Sequence, residues 1–173
     1  GAGAVCVEGI ETDENVGVIA SALHADGTGA DSLMVELPAS RLPDRMPLDI
    51  PFDDPRYYPS MDGKKVFKKA VRKLPEVTKE VLTKANTPLE DVDMFFPHQA
   101  NLRINQAYGQ FMKIDESKIF NNIQRYGNTT AASIPIALDE AMEQKLVGKT
   151  NDTILFLGLG AGLTWGGLLY RFD

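Results

Sequence analysis

Cysteine and histidine are scarce in this 173-residue sequence, which has one cysteine, Cys6, and two histidines. A single cysteine excludes an internal disulfide framework and cannot by itself build a cysteine-based zinc site, and so few imidazoles argue against any metal centre. Cys6 lies in a short apolar run, Ala4 to Val7, with no base nearby in the sequence. We therefore predict a buried strand from Ala4 to Val7 and interpret Cys6 as a buried structural residue rather than a nucleophile.

Long uninterrupted apolar runs are also missing. Glycines interrupt the most apolar stretch, Thr153 to Tyr170, so this stretch is interpreted as buried strands and not as a membrane span. The N-terminus has neither a basic leader nor a cleavage site, which makes the cytoplasm the expected compartment. The formal net charge of −6 argues against non-specific binding to nucleic acid.

The order of the predicted elements is that of an α/β domain. The length and the apolar fraction of 43% allow one domain with a substantial core. Strands and helices alternate along the chain, and we expect them to form a mixed β-sheet covered by helices. The further predicted strands are Val16 to Leu23, Leu33 to Leu37, Met94 to Pro97 and two within Thr153 to Phe172, and the predicted helices are one capped by Asp62 that continues to Ala85, Leu102 to Met112, and Ile134 to Leu146.

Proline should disturb this pattern at two places. Pro75 lies inside the first predicted helix and is expected to kink or split it. The segment from Pro38 to Pro59 contains six prolines. Because proline lacks the N–H that helices and sheets use, we predict an irregular surface loop there, of the kind that can act as a flap over a site.

Polar side chains follow two apolar segments where helices are predicted to begin. His98 lies in the segment Pro97 to Ile104, and Asn128 lies in the segment Tyr126 to Pro135. Ligand sites collect at the ends of strands in α/β sheets. A histidine there can donate a hydrogen bond or move a proton, and an asparagine can donate an N–H to a developing oxyanion without titrating. Taken alone, each residue has a structural alternative. A lone histidine is usually structural or on the surface, and Asn128 could be a turn residue because a Gly-Asn pair favours turns.

These segments resemble the β-ketoacyl-acyl-carrier-protein synthase III family of thiolase-fold condensing enzymes. The motifs that carry the resemblance are PHQAN from Pro97, GNTTAAS from Gly127 and GLGAGLTWG from Gly158, supported by GAGAV at the start, LHADG from Leu23 and MDGKKVFKKAV from Met61. Several spaced motifs in the right order are more specific than any one of them. The resemblance implies that residues 1–173 form the C-terminal domain of such an enzyme, with the N-terminal half on another segment.

The family resemblance implies a decarboxylating condensation. A cysteine of the N-terminal half takes an acyl group from coenzyme A, malonyl-acyl-carrier protein loses carbon dioxide, and the resulting carbanion attacks the acyl-cysteine. Matched motif to motif, His98 and Asn128 fall on the catalytic residues that stabilise the enolate, and the backbone amide near Ala161 falls on the oxyanion hole of the acyl-cysteine. The resemblance implies a homodimer and no cofactor, because the coenzyme A thioester is a substrate.

The same resemblance supplies candidate binding residues. Arg103 matches a position linked to docking of the acyl-carrier protein, and Asn101 and Gly63 match positions near the pantetheine tunnel. The basic block on the first helix is either a solvated face or a landing site for the acidic carrier, to which Lys68 and Lys69 would contribute. The block consists of Lys64, Lys65, Lys68, Lys69, Arg72 and Lys73. Some relatives have asparagine where this chain has Lys64, so no contact is transferred to that residue.

Other interpretations of the chain stay open. The glycines from Gly158 to Gly162 are also typical of a dinucleotide-binding loop, but the predicted continuation is a strand, whereas such a loop needs a helix next. His24, beside the turn glycine Gly27, is interpreted as a loop residue. A non-catalytic thiolase-fold binding domain is an alternative function, and so is a related condensing enzyme of a quinolone, polyketide or olefin pathway.

Overall fold

The structure, a computed structural model, describes residues 1–37, 50–51 and 53–173. Within them, the strands are β1 (Gly17–Ala25), β2 (Leu33–Met34), β3 (Ser60–Met61), β4 (Met94–Pro97), β5 (Thr153–Gly160) and β6 (Thr164–Arg171). The helices are α1 (Gly63–Ala85), α2 (Leu102–Met112), α3 (Ile123–Tyr126) and α4 (Ser133–Glu143). This order agrees with the α/β pattern expected from the sequence.

Four of the strands form one mixed sheet in the order β1, β6, β5, β4. The pairs β1–β6 and β5–β6 are antiparallel, whereas β4 and β5 are parallel. Strands β2 and β3 form a separate antiparallel pair. Because β4 and β5 run in the same direction, the residues that follow them lie at the same edge of the sheet.

Apolar side chains cover both faces of the sheet. Phe95 and Leu155 project to one face, where they pack with residues of α1 and α2 such as Val77 and Tyr108. Phe96 and Ile154 project to the other face and pack with small residues of α4. Successive strand residues point to opposite faces, so two apolar faces require helices on both sides. The predicted mixed sheet covered by helices is confirmed.

Helix α1 runs unbroken through Pro75, so the proline does not split it, and the alternative expectation of a kink stays a prediction. Asp62 caps it as expected, since its side chain accepts a hydrogen bond from Lys65 N at 3.0 Å. Pro75 lies inside the helix and is buried next to Leu74, which is 4% exposed. Proline removes one backbone hydrogen bond from the helix. The apolar face of α1 is buried against the sheet on both sides of Pro75, and this packing holds the helix together.

Two strand predictions are also corrected. Ala4 to Val7 forms no strand and is exposed, and Cys6 is exposed rather than buried. The apolar run lacks a hydrogen-bonded neighbour among the described strands, and a strand without a partner is not stable. The strand expected over Leu33 to Leu37 is limited to Leu33–Met34, where β3 offers a partner. Most of the predicted proline-rich flap, residues 38–49 and 52, lies outside the described residues.

None of the helices in the described segments is both long enough and apolar enough to cross a membrane.

Candidate active site

His98 lies immediately after β4, at the sheet edge where the two parallel strands end. Its backbone N–H donates to Leu157 O at 2.7 Å, so the pairing of β4 with β5 continues one residue beyond the strand. A short turn follows, and Asn101 caps α2 by accepting a hydrogen bond from Arg103 N at 2.9 Å. The strand on one side and the capped helix on the other hold the histidine backbone in place.

The imidazole of His98 is half-buried and hydrogen-bonded on one side. Its Nδ1 lies 2.6 Å from the Oγ of Ser133, the first residue of α4. Burial lowers the pKa of His98 below its usual value of about 6.5 because the charged form loses hydration. The ring is therefore neutral at neutral pH, and a neutral imidazole carries one N–H that it can donate.

Asn128 lies on an irregular segment between α3 and α4. The preceding Gly127 has φ of 68°, a conformation that glycine adopts without strain. The side-chain oxygen of Asn128 accepts a hydrogen bond from Thr130 N at 2.9 Å, which fixes the orientation of the amide. In the described part of the chain, no acceptor lies within hydrogen-bond distance of its Nδ2. That N–H₂ group is thus available to a ligand.

Gln99 connects the segments that carry the two candidate catalytic side chains. It is 1% exposed, and its Nε2 donates to the last carbonyl of β4 at 2.8 Å and to Phe120 O at 3.1 Å. Its Oε1 accepts from Asn122 N at 3.1 Å and from Ile123 N at 3.2 Å. The four hydrogen bonds fasten the turn after β4 to the start of α3, which leads to Asn128.

An open, mostly apolar cleft of about 1770 Å³ brings most of the predicted site residues together. His98 and Asn128 both line it, so the structure places the two side chains in one cavity. The other predicted residues in its lining are Ala161, Arg103, Asn101, Gly63 and Lys68. Lys69 is not among the lining residues. The cleft walls come from α1, β1, the end of β5, β6 and the segments that follow β4 and α3.

The turn between β5 and β6 forms one wall of this cleft. Ala161 lies in the turn, and Leu163 has φ of 51° and is 1% exposed. The Leu163 carbonyl accepts a hydrogen bond from Asp26 N at 3.0 Å. The Leu163 side chain lies so close to Gly29 that a Cβ added to this glycine would clash with Leu163 Cδ1. The chain continues as strand β6, not as a helix, so the dinucleotide-loop alternative is excluded.

The basic block divides into paired and unpaired side chains. Lys69 Nζ lies 2.6 Å from Asp26 Oδ2, and this hydrogen bond, aided by Thr28, lowers the pKa of Asp26 to about 2. Arg72 and Lys73 both pair with Glu76. Across the described residues, Lys64, Lys65 and Lys68 form no ion pair. Lys69 is therefore engaged within the fold, whereas Lys68 at the cleft is free to meet an anion.

His24 is part of β1, so the loop prediction for it is wrong. Its ring stacks on Trp165 of β6 with centroids 5.5 Å apart, and its Nε2 lies 2.6 Å from Glu80 Oε2 of α1. Lys73 Nζ covers Trp165 at 5.0 Å from the ring centroid. Cross-strand pairing with Trp165 extends β1 to Ala25. His24 and Trp165 both line the cleft, but His24 does not approach the candidate catalytic pair through any hydrogen bond.

Sequence reasoning missed Ser133 and Gln99, which surround His98. Ser133 is 2% exposed and Gln99 is 1% exposed. Gln99 lies in the motif PHQAN, and Ser133 lies in the motif GNTTAAS. The sequence signal that could have identified them is a polar residue within a segment that is otherwise expected to be buried. A buried polar side chain must find hydrogen-bond partners, and these two find them around the candidate active site.

Among the residues that the structure describes, no group of three or more His, Cys, Asp or Glu side chains is placed to hold a metal ion.

Comparison with known proteins identifies the family. The sequence profile of the 3-oxoacyl-[acyl-carrier-protein (ACP)] synthase III C terminal matches residues 82–172, just over half of the chain. A β-ketoacyl-[acyl-carrier-protein] synthase III of Microcystis aeruginosa is 40% identical over 173 residues, which cover 99% of this chain and 50% of that protein. A protein of the same name from Roseiflexus castenholzii is also 40% identical, over 100% of this chain and 51% of its own length.

Solved structures agree with this assignment. The crystal structure of 3-oxoacyl-[acyl-carrier-protein] synthase III from Aquifex aeolicus matches with a TM-score of 0.79 and 39% identity, over 94% of this chain and 46% of that one. The chain thus spans about half the length of the curated relatives it matches. The motifs, the thiolase-like fold and the sequence identity agree, and the chain belongs to the β-ketoacyl-acyl-carrier-protein synthase III family.

Proposed function

We propose that this chain is the C-terminal part of an enzyme that joins an acyl-coenzyme A primer to malonyl-acyl-carrier protein, with loss of carbon dioxide, to give 3-ketoacyl-acyl-carrier protein. This reaction would initiate fatty acid biosynthesis in the cytoplasm. The observation that carries the proposal is the presence of His98 and Asn128 in one apolar cleft. The acyl-accepting cysteine would come from a preceding N-terminal half, and this chain alone would be inactive.

The two side chains suit the decarboxylation step. When the C–C bond to the carboxylate of the malonyl group breaks, its electron pair moves to the thioester carbonyl and forms an enolate oxygen. A neutral His98 can donate its N–H to that oxygen, and Asn128 Nδ2 can donate a second hydrogen bond. An oxyanion in an apolar site gains more from such donors than it would in water.

Condensation then uses a second oxyanion site. The enolate carbon attacks the carbonyl of the acyl-cysteine, a new C–C bond forms, and the cysteine leaves as a thiolate when the C–S bond breaks. The negative charge that develops on the acyl oxygen would be met by the backbone amide near Ala161, at the turn that Gly29 and Asp26 support. Separate donors for the two oxyanions allow the two half-reactions to be tested separately.

The cleft entrance suits an acidic carrier. Arg103 and Lys68 are among the residues that line the cleft, and they place positive charge there in a chain whose net charge is −6. We assign both residues to carrier docking, and Asn101 and Gly63 to the pantetheine path. Lys69 contributes less, because it is paired with Asp26. No cofactor is required for this chemistry, since coenzyme A arrives as the thioester substrate, and we expect the enzyme to be a homodimer.

The test separates acyl loading from decarboxylation in the enzyme that contains both halves. We expect His98→Ala and Asn128→Ala each to lower carbon dioxide release by about a hundredfold or more, while transfer of radiolabelled acetyl to the cysteine persists. Because both residues serve one oxygen, the double variant should be little worse than the worse single variant. Asn15→Ala, which removes an exposed asparagine amide outside the cleft, is the matched control and should change neither rate.

The result that contradicts this assignment is specific. If folded His98→Ala lost acetyl loading as completely as decarboxylation, His98 would be the base that activates the cysteine and not an enolate donor.

A further inference from the structure

A buried hydroxyl lies between His98 and the backbone of its neighbour. Ser133 Oγ is 2.6 Å from His98 Nδ1 and 3.2 Å from Gln99 N, and the serine is 2% exposed. Ser133 is the first residue of α4, so its backbone is held by an eleven-residue helix. A serine in this position can accept hydrogen bonds through its oxygen and donate one through its proton.

The direction of these hydrogen bonds follows from counting donors. Gln99 N–H can only donate, so Ser133 Oγ is its acceptor. Across the described residues, the serine proton then has one acceptor in reach, which is His98 Nδ1. If Nδ1 carried the proton instead and donated to Ser133, the buried hydroxyl hydrogen would be left without a partner. An unsatisfied buried polar group is unfavourable, so the geometry selects Ser133 as the donor.

We propose that Ser133 is a positioning residue that holds His98 in the tautomer protonated at Nε2, so that the imidazole N–H points away from α4 and into the cleft. This inference rests on the proposed function only for the role of the N–H, which is to donate a hydrogen bond to the enolate oxygen. The opposite tautomer would present a lone pair to the cleft, and a lone pair repels an enolate oxygen.

Two further features of the structure support this arrangement. The N-terminus of α4 carries partial positive charge, which disfavours a second proton on the adjacent imidazole. Gln99, whose N–H occupies one lone pair of Ser133, also binds the backbone of Asn122 and Ile123 through its side chain. The same local network therefore sets the proton position of His98 and fastens the segment that leads to Asn128.

The tautomer can be measured directly because the chain has two histidines. Long-range ¹H–¹⁵N correlation spectra of the ¹⁵N-histidine-labelled chain at pH 7.5 distinguish protonated from unprotonated ring nitrogens, and His24→Gln assigns the two spin systems. We expect protonated Nε2 and unprotonated Nδ1 for His98. Ser133→Ala should shift the nitrogen resonances toward a mixture of tautomers, and Ser133→Thr, which keeps the hydroxyl, should restore the wild-type pattern.

Protonated Nδ1 in the wild-type chain would overturn the inference even if no variant could be folded. Unchanged His98 nitrogen shifts in folded Ser133→Ala would overturn it as well. In the enzyme that contains both halves, Ser133→Ala should lower decarboxylation by at least about tenfold at an unchanged KM for malonyl-carrier protein, with recovery in Ser133→Thr. A tautomer shift without a rate change would support the positioning role and refute the enolate role proposed for His98.

Discussion

The substitution Gln99→Glu tests the hydrogen-bond network behind the candidate active site by changing a single group. It is nearly isosteric and replaces the Nε2 amide, which donates two hydrogen bonds, by a second carboxyl oxygen. The side-chain oxygen that accepts from Asn122 N and Ile123 N is retained. The new oxygen faces Phe120 O and the last carbonyl of β4, at the positions where the amide now lies 3.1 and 2.8 Å from them. Two attractive contacts thereby become repulsive.

The magnitude follows from those two contacts. If only two ordinary hydrogen bonds were lost, the free energy of unfolding would fall by about 2 kcal/mol. Gln99 is 1% exposed, so water cannot replace the lost donors. If both carbonyls were left without a partner, the free energy of unfolding would fall by about 6 kcal/mol. We expect a value between these limits at pH 7.5, which is a large share of the stability of a domain of this size.

The loss should depend on pH, with a sign that the structure fixes. Burial and the two facing carbonyls raise the pKa of the introduced carboxyl group in the folded state above its unfolded value of about 4.3. Between these two pKa values the folded state binds more protons, so stability falls as pH rises. The variant should therefore be closest to wild type near pH 4, where the carboxyl is protonated and can donate one hydrogen bond. It should be furthest from wild type above the folded-state pKa.

Urea unfolding at several pH values, followed by far-UV circular dichroism, measures this difference. The fluorescence of Trp165, the one tryptophan of the chain, gives a second probe. Gln106→Glu makes the same chemical change at an exposed position of α2 and should alter stability by less than about 0.5 kcal/mol at every pH. The reasoning fails if Gln99→Glu is as mild as Gln106→Glu at pH 7.5, or if its effect does not vary with pH.

Two other predictions concern the cleft entrance and α1. In the enzyme that contains both halves, Arg103→Glu should lower the rate with malonyl-carrier protein, and the salt dependence of that rate, more than it lowers acyl loading from coenzyme A. Lys149→Glu, which reverses a charge outside the cleft lining, should not have this effect. Equal losses with both substrates would reject the docking role of Arg103. Asp62→Ala should lower the free energy of unfolding, measured in urea, by about 1 kcal/mol, because Lys65 N loses its capping acceptor. Asp13→Ala, at an exposed irregular position, should leave the free energy of unfolding unchanged. Equal effects of the two substitutions would contradict the capping role of Asp62.

The location of the candidate site could be predicted from the sequence because it depends on local patterns. An apolar run that ends at Pro97 indicates a buried strand, and a polar residue directly after such a strand lies at the sheet edge. The position of Asn128 relative to His98 was predictable only through the family motifs. Nothing in the pattern of residues 121–128 indicates which cleft they face, since this segment has one short helix and no strand.

The errors arise where structure depends on a distant partner. The run Ala4 to Val7 has the composition of a strand, but composition does not reveal whether a hydrogen-bonding neighbour exists. The error at His24 has the opposite sign. A nearby glycine indicated a loop, but pairing with Trp165 on β6 keeps His24 within strand β1. The absence of a split at Pro75 has a similar cause, because burial of α1 against the sheet is a tertiary effect that outweighs one missing hydrogen bond.

Ser133 and Gln99 show which further signal the sequence contains. Each is a polar residue in a segment that must be buried if His98 is to lie at the end of a core strand. Burying an amide or a hydroxyl is unfavourable unless every donor and acceptor is satisfied. Gln99 can satisfy four groups only if two chain segments converge on it, and among the described residues the imidazole is the acceptor that the Ser133 proton can reach. A polar residue at such a position therefore identifies a convergence of segments, and here that convergence supports the candidate active site.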